Sequence, residues 1–156
     1  GLRRTRWPGR LEVILERPLV VLDGAHNIDG VAALVREMRE IARDRRVRLL
    51  FAVMQDKDWR PMVDGLAEIA DEVVVTSVAP PRRESPMRLA EAFRARRPAR
   101  IGTEPAAALA EMVAESSPDD VVLVAGSLFL VGAVRPTVER LRHDAAATGR
   151  SEVARG

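Results

Sequence analysis

Five consecutive residues, Asp23-Gly24-Ala25-His26-Asn27, bring a carboxylate, an imidazole and a side-chain amide into one short turn. The four residues before them, 19–22, are all apolar, which is typical of a short buried strand. After the turn, apolar residues recur at helical spacing from Val31 to Ala42. Strand ends and helix N-termini meet at such turns in open α/β sheets, and ligands bind there. The pattern therefore predicts a ligand site at this turn.

A structural interpretation of the same turn stays open. Asp23 follows a buried strand, so its carboxylate needs a donor such as a ribose hydroxyl or a cation. Gly24 would let a ligand approach the backbone. Alternatively, Asp23 or Asn27 caps the following helix, and His26 is a hydrogen-bonded polar residue without a chemical role.

Three further polar clusters accompany predicted strands. Asp56-Lys57-Asp58 holds the one lysine of the chain and is either a contact for a phosphate or carboxylate, or a solvated loop. Gly126-Ser127 opens the last predicted helix, where free N–H groups bind an anion or Ser127 serves as an N-cap. Arg10 follows Pro8-Gly9 and is either a ligand contact or solvated. Because these clusters would share one edge of a sheet, together they favour a site more strongly than each alone.

Several kinds of chemistry are disfavoured by what the sequence lacks. It contains neither a GxxxxGK[ST] pattern nor a GxGxxG pattern after a strand, which argues against an autonomous P-loop ATPase or a dinucleotide dehydrogenase. It has no cysteine, and therefore no disulfide, thiolate metal ligand or Cys nucleophile. His26 and His143 do not form a metal-ligand set, so we expect no metal held by this chain alone.

The elements that position these clusters alternate along the chain. Helices that alternate with strands indicate a mostly parallel sheet covered on both faces. The first two strands are so close in sequence that they should form an antiparallel hairpin. The predicted fold is α/β, a Rossmann-like three-layer sandwich with one antiparallel edge hairpin. Strands are expected at 11–16, 19–23, 47–53, 72–78, 99–102 and 121–125, and helices at about 29–43, 58–70, 86–97, 105–116 and from 126 onward.

Four local features of the helices are also predicted. Asp58 and Ser85 are expected N-caps, and Thr103-Glu104-Pro105 is expected to form a capped start. Pro136 should kink or split the last helix, because proline removes a backbone hydrogen bond.

Composition excludes some partners. The isoelectric point of about 10.2 accompanies a formal net charge of only +2. With one lysine and no tyrosine or cysteine, a small excess of arginine raises the isoelectric point, so we expect no nucleic-acid partner. The longest nearly apolar run, 121–134, is too short to span a bilayer, and no secretory signal is found, so we expect no membrane partner and a cytoplasmic setting.

Taken together, the motifs resemble those of the C-terminal domain of folylpolyglutamate synthase/dihydrofolate synthase, a branch of the Mur ligase superfamily. Pro8-Gly9-Arg10, Asp23 to Asn27, Asp56 to Asp58 and Gly126 to Gly132 occur in the family's order. The resemblance spans about residues 7–142. It implies the fold of the Mur ligase C-terminal domain.

The resemblance also implies ATP-dependent amide ligation. ATP phosphorylates a carboxylate of a folate or dihydropteroate acceptor to an acyl phosphate, which the amine of L-glutamate attacks. The P-loop, the Mg²⁺ ligands and most of the folate site would belong to an N-terminal ATPase domain that this chain lacks. Residues 1–10 would then be a basic linker from that domain, 11–143 the Mur ligase C-terminal-like domain, and 144–156 a flexible tail. The isolated chain is expected to have no ligase turnover.

Site roles are implied residue by residue. Arg10 would contact ATP near the phosphates and Asp23 would contact the ribose. His26 and Asn27 would lie beside the reacting centre and orient glutamate or phosphate.

The remaining implied contacts concern the glutamate. Ser127 would lie at the glutamate pocket, and Lys57 would contact an anionic group there. Ile28 stands where the family usually has proline, a departure that removes no chemical group. Two alternatives stay open, namely the C-terminal domain of a Mur-type peptidoglycan ligase and a non-catalytic α/β nucleotide-binding module.

Overall fold

The computed structural model describes residues 9–79 and 81–154, with the side chain of residue 152 left aside. Within these residues, strands and helices alternate after an initial pair of strands. The strands are β1 (Glu12–Glu16), β2 (Leu19–Leu22), β3 (Val47–Phe51), β4 (Glu72–Val75), β5 (Ala99–Ile101) and β6 (Val121–Ala125). The helices are α1 (Ile28–Ala42), α2 (Trp59–Ala67), α3 (Pro86–Arg94), α4 (Pro105–Glu115) and α5 (Leu128–Val153).

The strands form one sheet in the order β1-β2-β6-β3-β4-β5. β1 pairs antiparallel with β2, and the other pairs are parallel, so the predicted edge hairpin is confirmed. β6 lies between β2 and β3, with Leu22 beside Val124 and Phe51 beside Ala125. The carboxyl ends of these three strands therefore lie level at one edge of the sheet.

Helices cover both faces of the sheet, which confirms the predicted three-layer sandwich. One core cluster packs α1, α2 and α3 against strand residues such as Leu49 and Phe51. The second packs α4 and α5 against strand residues such as Leu50. The central strands are buried on both faces, as is typical of parallel sheets.

The predicted helix caps are confirmed only in part. Glu104 caps α4 by accepting hydrogen bonds from the backbone N–H groups of its first turn. Asp58 and Ser85 are the N-cap residues of α2 and α3, as predicted, but neither side chain makes a capping hydrogen bond. At α2, Pro61 occupies the third helical position and removes one of the two backbone donors that the Asp58 side chain could bind. Before α3, the N–H of Ser85 donates instead to the carboxylate of Glu84.

Helix α5 continues through Pro136 as one element, so the predicted split is wrong. Val134 and Val138 lie on either side of Pro136 and are buried, and this packing holds the helix together across the missing hydrogen bond. Residues 144–153 continue α5 with exposed side chains where these are described, and the flexibility of this tail stays a prediction. In the part of the chain that the structure describes, no helix is long and apolar enough to cross a membrane.

Candidate functional site at the carboxyl edge of the sheet

Two of the predicted clusters meet at the carboxyl edge of β2 and β6. The N–H of Asp23 donates to the carbonyl of Val124 over 2.9 Å, which extends the pairing of the two strands. The N–H of Gly126 donates to the carbonyl of Ala25 over 3.1 Å. The Asp23-to-Asn27 turn and the start of α5 are therefore joined by their backbones.

Asp23 is buried, with 5% of its surface exposed. Its Oδ2 accepts a hydrogen bond from the N–H of Leu11 at 2.9 Å, and its Oδ1 accepts one from the N–H of Ala25 at 2.8 Å. Burial raises the pKa of this carboxyl, while the two N–H groups and the nearby Arg10 guanidinium act against the rise. Asp23 thus does not cap α1. Because a carboxylate accepts about four hydrogen bonds, it retains capacity for another donor.

The lead-in segment, residues 9–12, is fixed against the turn. The N–H of Gly24 donates to the carbonyl of Gly9 over 2.5 Å. A Cβ on Gly24 would clash with the exposed side chain of Leu128 and would lie 3.2 Å from that carbonyl oxygen, so a larger residue would force Leu128 to shift and would crowd this close approach. The turn, the lead-in segment and the start of α5 therefore pack as one unit.

An ion pair that the sequence did not reveal ties the lead-in segment to α5. Arg135 donates to both carboxylate oxygens of Glu12, over 3.1 and 2.8 Å, and the N–H of Gly9 donates to the same carboxylate over 2.9 Å. The hydrogen-bonded Arg135 holds the pKa of Glu12 below its ordinary value. The pair joins positions at opposite ends of the chain, and no local pattern marks it.

His26 is half-buried, and its Nδ1 lies 2.8 Å from the carbonyl oxygen of Gly24. A carbonyl oxygen only accepts, so this geometry assigns the proton to Nδ1. Nε2 has no hydrogen-bonding partner among the residues that the structure describes. It is therefore free to accept a hydrogen bond when the ring is neutral, and to donate one when the ring is protonated.

Asn27 and Ser127 are both helix caps, as their structural interpretations proposed. Oδ1 of Asn27 accepts from the N–H of Gly30 over 2.7 Å at the start of α1. Ser127 is buried, with 2% of its surface exposed. Its Oγ accepts a hydrogen bond from the N–H of Phe129 over 3.1 Å at the start of α5. Ile28 is the first residue of α1, a position that also suits proline, so the departure from the family pattern leaves the helix start intact.

The two predicted cations lie on either side of this centre. Arg10 is exposed beside Asp23, and its guanidinium has no hydrogen bond or ion pair within residues 9–79 and 81–154. Lys57 lies in the loop after β3, one strand beyond β6, and its Nζ is 3.9 Å from Oδ2 of Asp56. The structure thus brings Arg10 to the turn and places Lys57 farther along the same edge.

These groups fit the polar part of a nucleotide. An unpaired guanidinium suits a phosphate, because its planar donors bind two oxygens at once. The remaining acceptor capacity of Asp23 suits a hydroxyl. Within the described residues, no group of three or more His, Cys, Asp and Glu side chains could hold a metal ion.

Comparison with known proteins places this domain in a family. The family described as "Mur ligase, glutamate ligase domain" matches residues 9–128. The chain belongs to this family. The predicted resemblance and the predicted fold are confirmed.

Several relatives of known name share this domain. The chain is 43% identical over 142 residues to a probable bifunctional folylpolyglutamate synthase/dihydropteroate synthase of Haloferax volcanii, covering 90% of this chain and 17% of the relative. Escherichia coli FolC in complex with DHPP and ADP superposes with a TM-score of 0.81 at 26% identity, covering 87% of this chain and 32% of that one.

A third match is a bifunctional folylpolyglutamate synthase/dihydrofolate synthase solved with Mn, AMPPNP and L-glutamate bound. It has a TM-score of 0.74 at 29% identity and covers 95% of this chain and 33% of that one. The chain therefore spans a third or less of the length of these relatives.

Proposed function

We propose that this chain is the C-terminal, glutamate- and nucleotide-contacting domain of an ATP-dependent folate:L-glutamate ligase. The observation that carries the proposal is the junction of the Asp23-to-Asn27 turn with the start of α5, beside the Arg10 guanidinium, which has no hydrogen bond or ion pair to any residue that the structure describes. The Haloferax volcanii relative is named as a probable bifunctional folylpolyglutamate synthase/dihydropteroate synthase. Of the two solved structures, one is a complex with DHPP and ADP, and the other has Mn, AMPPNP and L-glutamate bound.

The proposed reaction has two steps. An oxygen of the acceptor carboxylate attacks the γ-phosphorus of ATP, which forms an acyl phosphate and releases ADP. The amine of L-glutamate then attacks the acyl carbon, the amine loses a proton, and inorganic phosphate leaves with the oxygen that came from the carboxylate. The product is an amide.

Arg10 and Asp23 would contact the nucleotide in this proposal. The guanidinium of Arg10 would bind phosphate oxygens with two donors. Asp23 would accept from a ribose hydroxyl while it keeps its two backbone hydrogen bonds, so the contact would leave the lead-in segment in place.

His26 and Asn27 would act beside the reacting groups. The free Nε2 of His26 would accept from the ammonium of glutamate, or donate to a phosphate oxygen when the ring is protonated. Asn27 would use its side-chain amide N–H, because its Oδ1 is already bound to Gly30.

Ser127 and Lys57 would contact the glutamate. Oγ of Ser127 accepts from the backbone of α5, so its hydroxyl proton would donate to a carboxylate of the amino acid. Lys57, which lies in the loop after β3, would contact an anionic group at the glutamate pocket. The start of α5 adds a favourable partial positive charge for such anions.

The rest of the machinery would be supplied by an N-terminal ATPase domain of the same protein, in the cytoplasm. That domain would hold most of the folate site and Mg²⁺, which neutralises phosphate charge when bound. Closure of the present domain over the nucleotide would exclude water and so protect the acyl phosphate from hydrolysis.

The proposal is tested on the protein produced from the whole reading frame that contains these residues. We expect ADP release only when a folate or dihydropteroate acceptor and L-glutamate are both present, with one amide formed per ADP. ADP release that requires a UDP-muramoyl peptide acceptor, and not a folate or dihydropteroate acceptor, would favour a Mur-type peptidoglycan ligase. Nucleotide binding without turnover on either acceptor would favour a non-catalytic module.

A further inference from the structure

A group of basic side chains lies along the sheet edge next to the candidate site. We define the basic rim as Lys57, in the loop after β3, together with Arg82 and Arg83, in the loop after β4. Arg82 and Arg83 are exposed, and their guanidinium groups have no hydrogen bond or ion pair within the part of the chain that the structure describes. Two adjacent, unpaired arginines are available to bind an anion.

The backbone of the basic rim is fixed by pairing between the two loops. The N–H of Gln55 donates to the carbonyl of Arg82 over 2.8 Å, and the N–H of Glu84 donates to the carbonyl of Val53 over 3.0 Å. Met54 and Arg83 form an antiparallel bridge between these two hydrogen bonds. The backbone that carries the two arginines is therefore held in place by the loop after β3.

The acidic residue next to these arginines is bound by other partners. Glu84 is 5% exposed, and its carboxylate accepts from Nε1 of Trp59 at 2.7 Å, from the N–H of Ser85 at 2.8 Å and from Arg88 at 3.0 Å. Since these three donors occupy Glu84, its charge is not paired with Arg82 or Arg83. The same contacts anchor the end of the loop against α2 and α3.

The position of the basic rim connects it with the proposed glutamate contacts. β6 leads to Ser127, β3 lies beside β6 and leads to Lys57, and β4 lies beside β3 and leads to Arg82 and Arg83. The three strand ends thus form a continuous edge, with Arg82 and Arg83 at the far side from the turn.

We propose that the basic rim binds the oligo-γ-glutamyl tail of a folate acceptor that already carries several glutamates, an inference that rests on the proposed function. Each γ-linked glutamate leaves one free α-carboxylate, which matches the paired donors of a guanidinium. Each exposed contact is individually weak, so affinity should rise with the number of carboxylates.

The test is direct binding of γ-linked pentaglutamate to the 156-residue chain at low salt, measured by isothermal titration calorimetry. We expect the pentapeptide to bind at least about 10-fold more tightly than L-glutamate, because several charge pairs add. The R82A/R83A variant should lose most of this difference. R36A/R150A removes two exposed arginines elsewhere and should keep it, and circular dichroism checks that both variants are folded.

Three results would overturn the proposal. The first is equal affinity of the wild-type chain for pentaglutamate and glutamate. The second is a loss of affinity in R82A/R83A no larger than in R36A/R150A. The third is that inorganic tripolyphosphate binds more tightly than pentaglutamate and that R82A/R83A loses this binding. That result would mark the basic rim as a phosphate site. No turnover is measured, so these failures are distinct from a failure of the whole protein to ligate glutamate.

Discussion

Single side chains at the carboxyl edge combine structural and proposed chemical roles. Asp23 binds two backbone N–H groups, and Asn27 and Ser127 cap helices, so each has a structural use before any ligand arrives. His26 differs, because Nε2 remains without a partner in the described part of the chain. Substitution of His26 therefore separates chemistry from stability most clearly.

We predict that His26→Ala lowers kcat of the whole-reading-frame protein at least about 100-fold, the usual size for loss of a group that acts on the reacting atoms. The free energy of unfolding should fall by about 1 kcal/mol or less, because one hydrogen bond to Gly24 is lost. Steady-state kinetics and urea unfolding measure the two effects. Wild-type turnover with lowered stability would restore the purely structural interpretation of His26.

A second residue prediction concerns Glu12, whose pKa lies below its ordinary value of 4.5 because Arg135 is hydrogen-bonded to it. A carboxyl with a depressed folded-state pKa stabilises the fold above its unfolded pKa and loses that contribution as pH falls through the folded value. Glu12→Gln should therefore cost about 1–2 kcal/mol at pH 7, and much less at pH 3.

Urea unfolding at both pH values measures this difference. Glu37→Gln is the control, since Glu37 is exposed on α1 and forms no ion pair within the described residues. A cost of Glu12→Gln that is unchanged between pH 7 and pH 3 would contradict the role given to the ion pair.

At the scale of elements, each strand and helix of the described residues was predicted from the sequence, although β3, β4 and α2 end earlier than expected. Apolar periodicity and turn residues agree along most of this chain. The other expectations that failed concern single positions in helices. Buried neighbours hold α5 across Pro136, and Pro61 removes one of the two backbone donors that the Asp58 side chain could bind.

The candidate site could also be located in part from the sequence. The turn and the Gly126-Ser127 pair were found because both follow apolar strands. The Glu12–Arg135 pair was not found, because its partners meet only through tertiary packing. Arg82 and Arg83 were not singled out from the sequence, and their position in the loop after β4 is the signal that would have marked them.

The junction between β6 and α5 depends on Gly126. Its φ is +109°, and a Cβ there would clash with the carbonyl of Ala52 and lie 2.5 Å from the ring of Phe51. We predict that Gly126→Ala lowers the free energy of unfolding by at least about 2 kcal/mol, from backbone strain and overpacking.

Gly132→Ala is the matched control for this change. Gly132 lies inside α5, and a Cβ there meets nothing within 4 Å. Alanine should stabilise the helix by about 0.5–1 kcal/mol. Thermal or urea unfolding of the two variants should therefore shift in opposite directions, and equal shifts would contradict the role given to Gly126.

At the scale of the whole molecule, we propose that the candidate site is one part of a larger site. The chain spans a third or less of the relatives described above, and its described residues show no metal-binding group. We predict that the 156-residue chain releases no ADP above background with ATP, L-glutamate and a folate acceptor. Clear glutamate-dependent release of ADP in a coupled assay would show that this chain catalyses ligation alone. It would refute the proposal that a second domain is needed.

Ligation through an acyl phosphate can be tested by following the oxygen atoms of the acceptor carboxylate. The whole-reading-frame protein is given ATP, L-glutamate and a folate or dihydropteroate acceptor labelled with ¹⁸O in the reacting carboxylate, and the released phosphate is analysed by mass spectrometry. Ligation through an acyl phosphate predicts one ¹⁸O atom in each inorganic phosphate formed with the amide. Unlabelled phosphate, or release of AMP and pyrophosphate, would contradict ligation through an acyl phosphate.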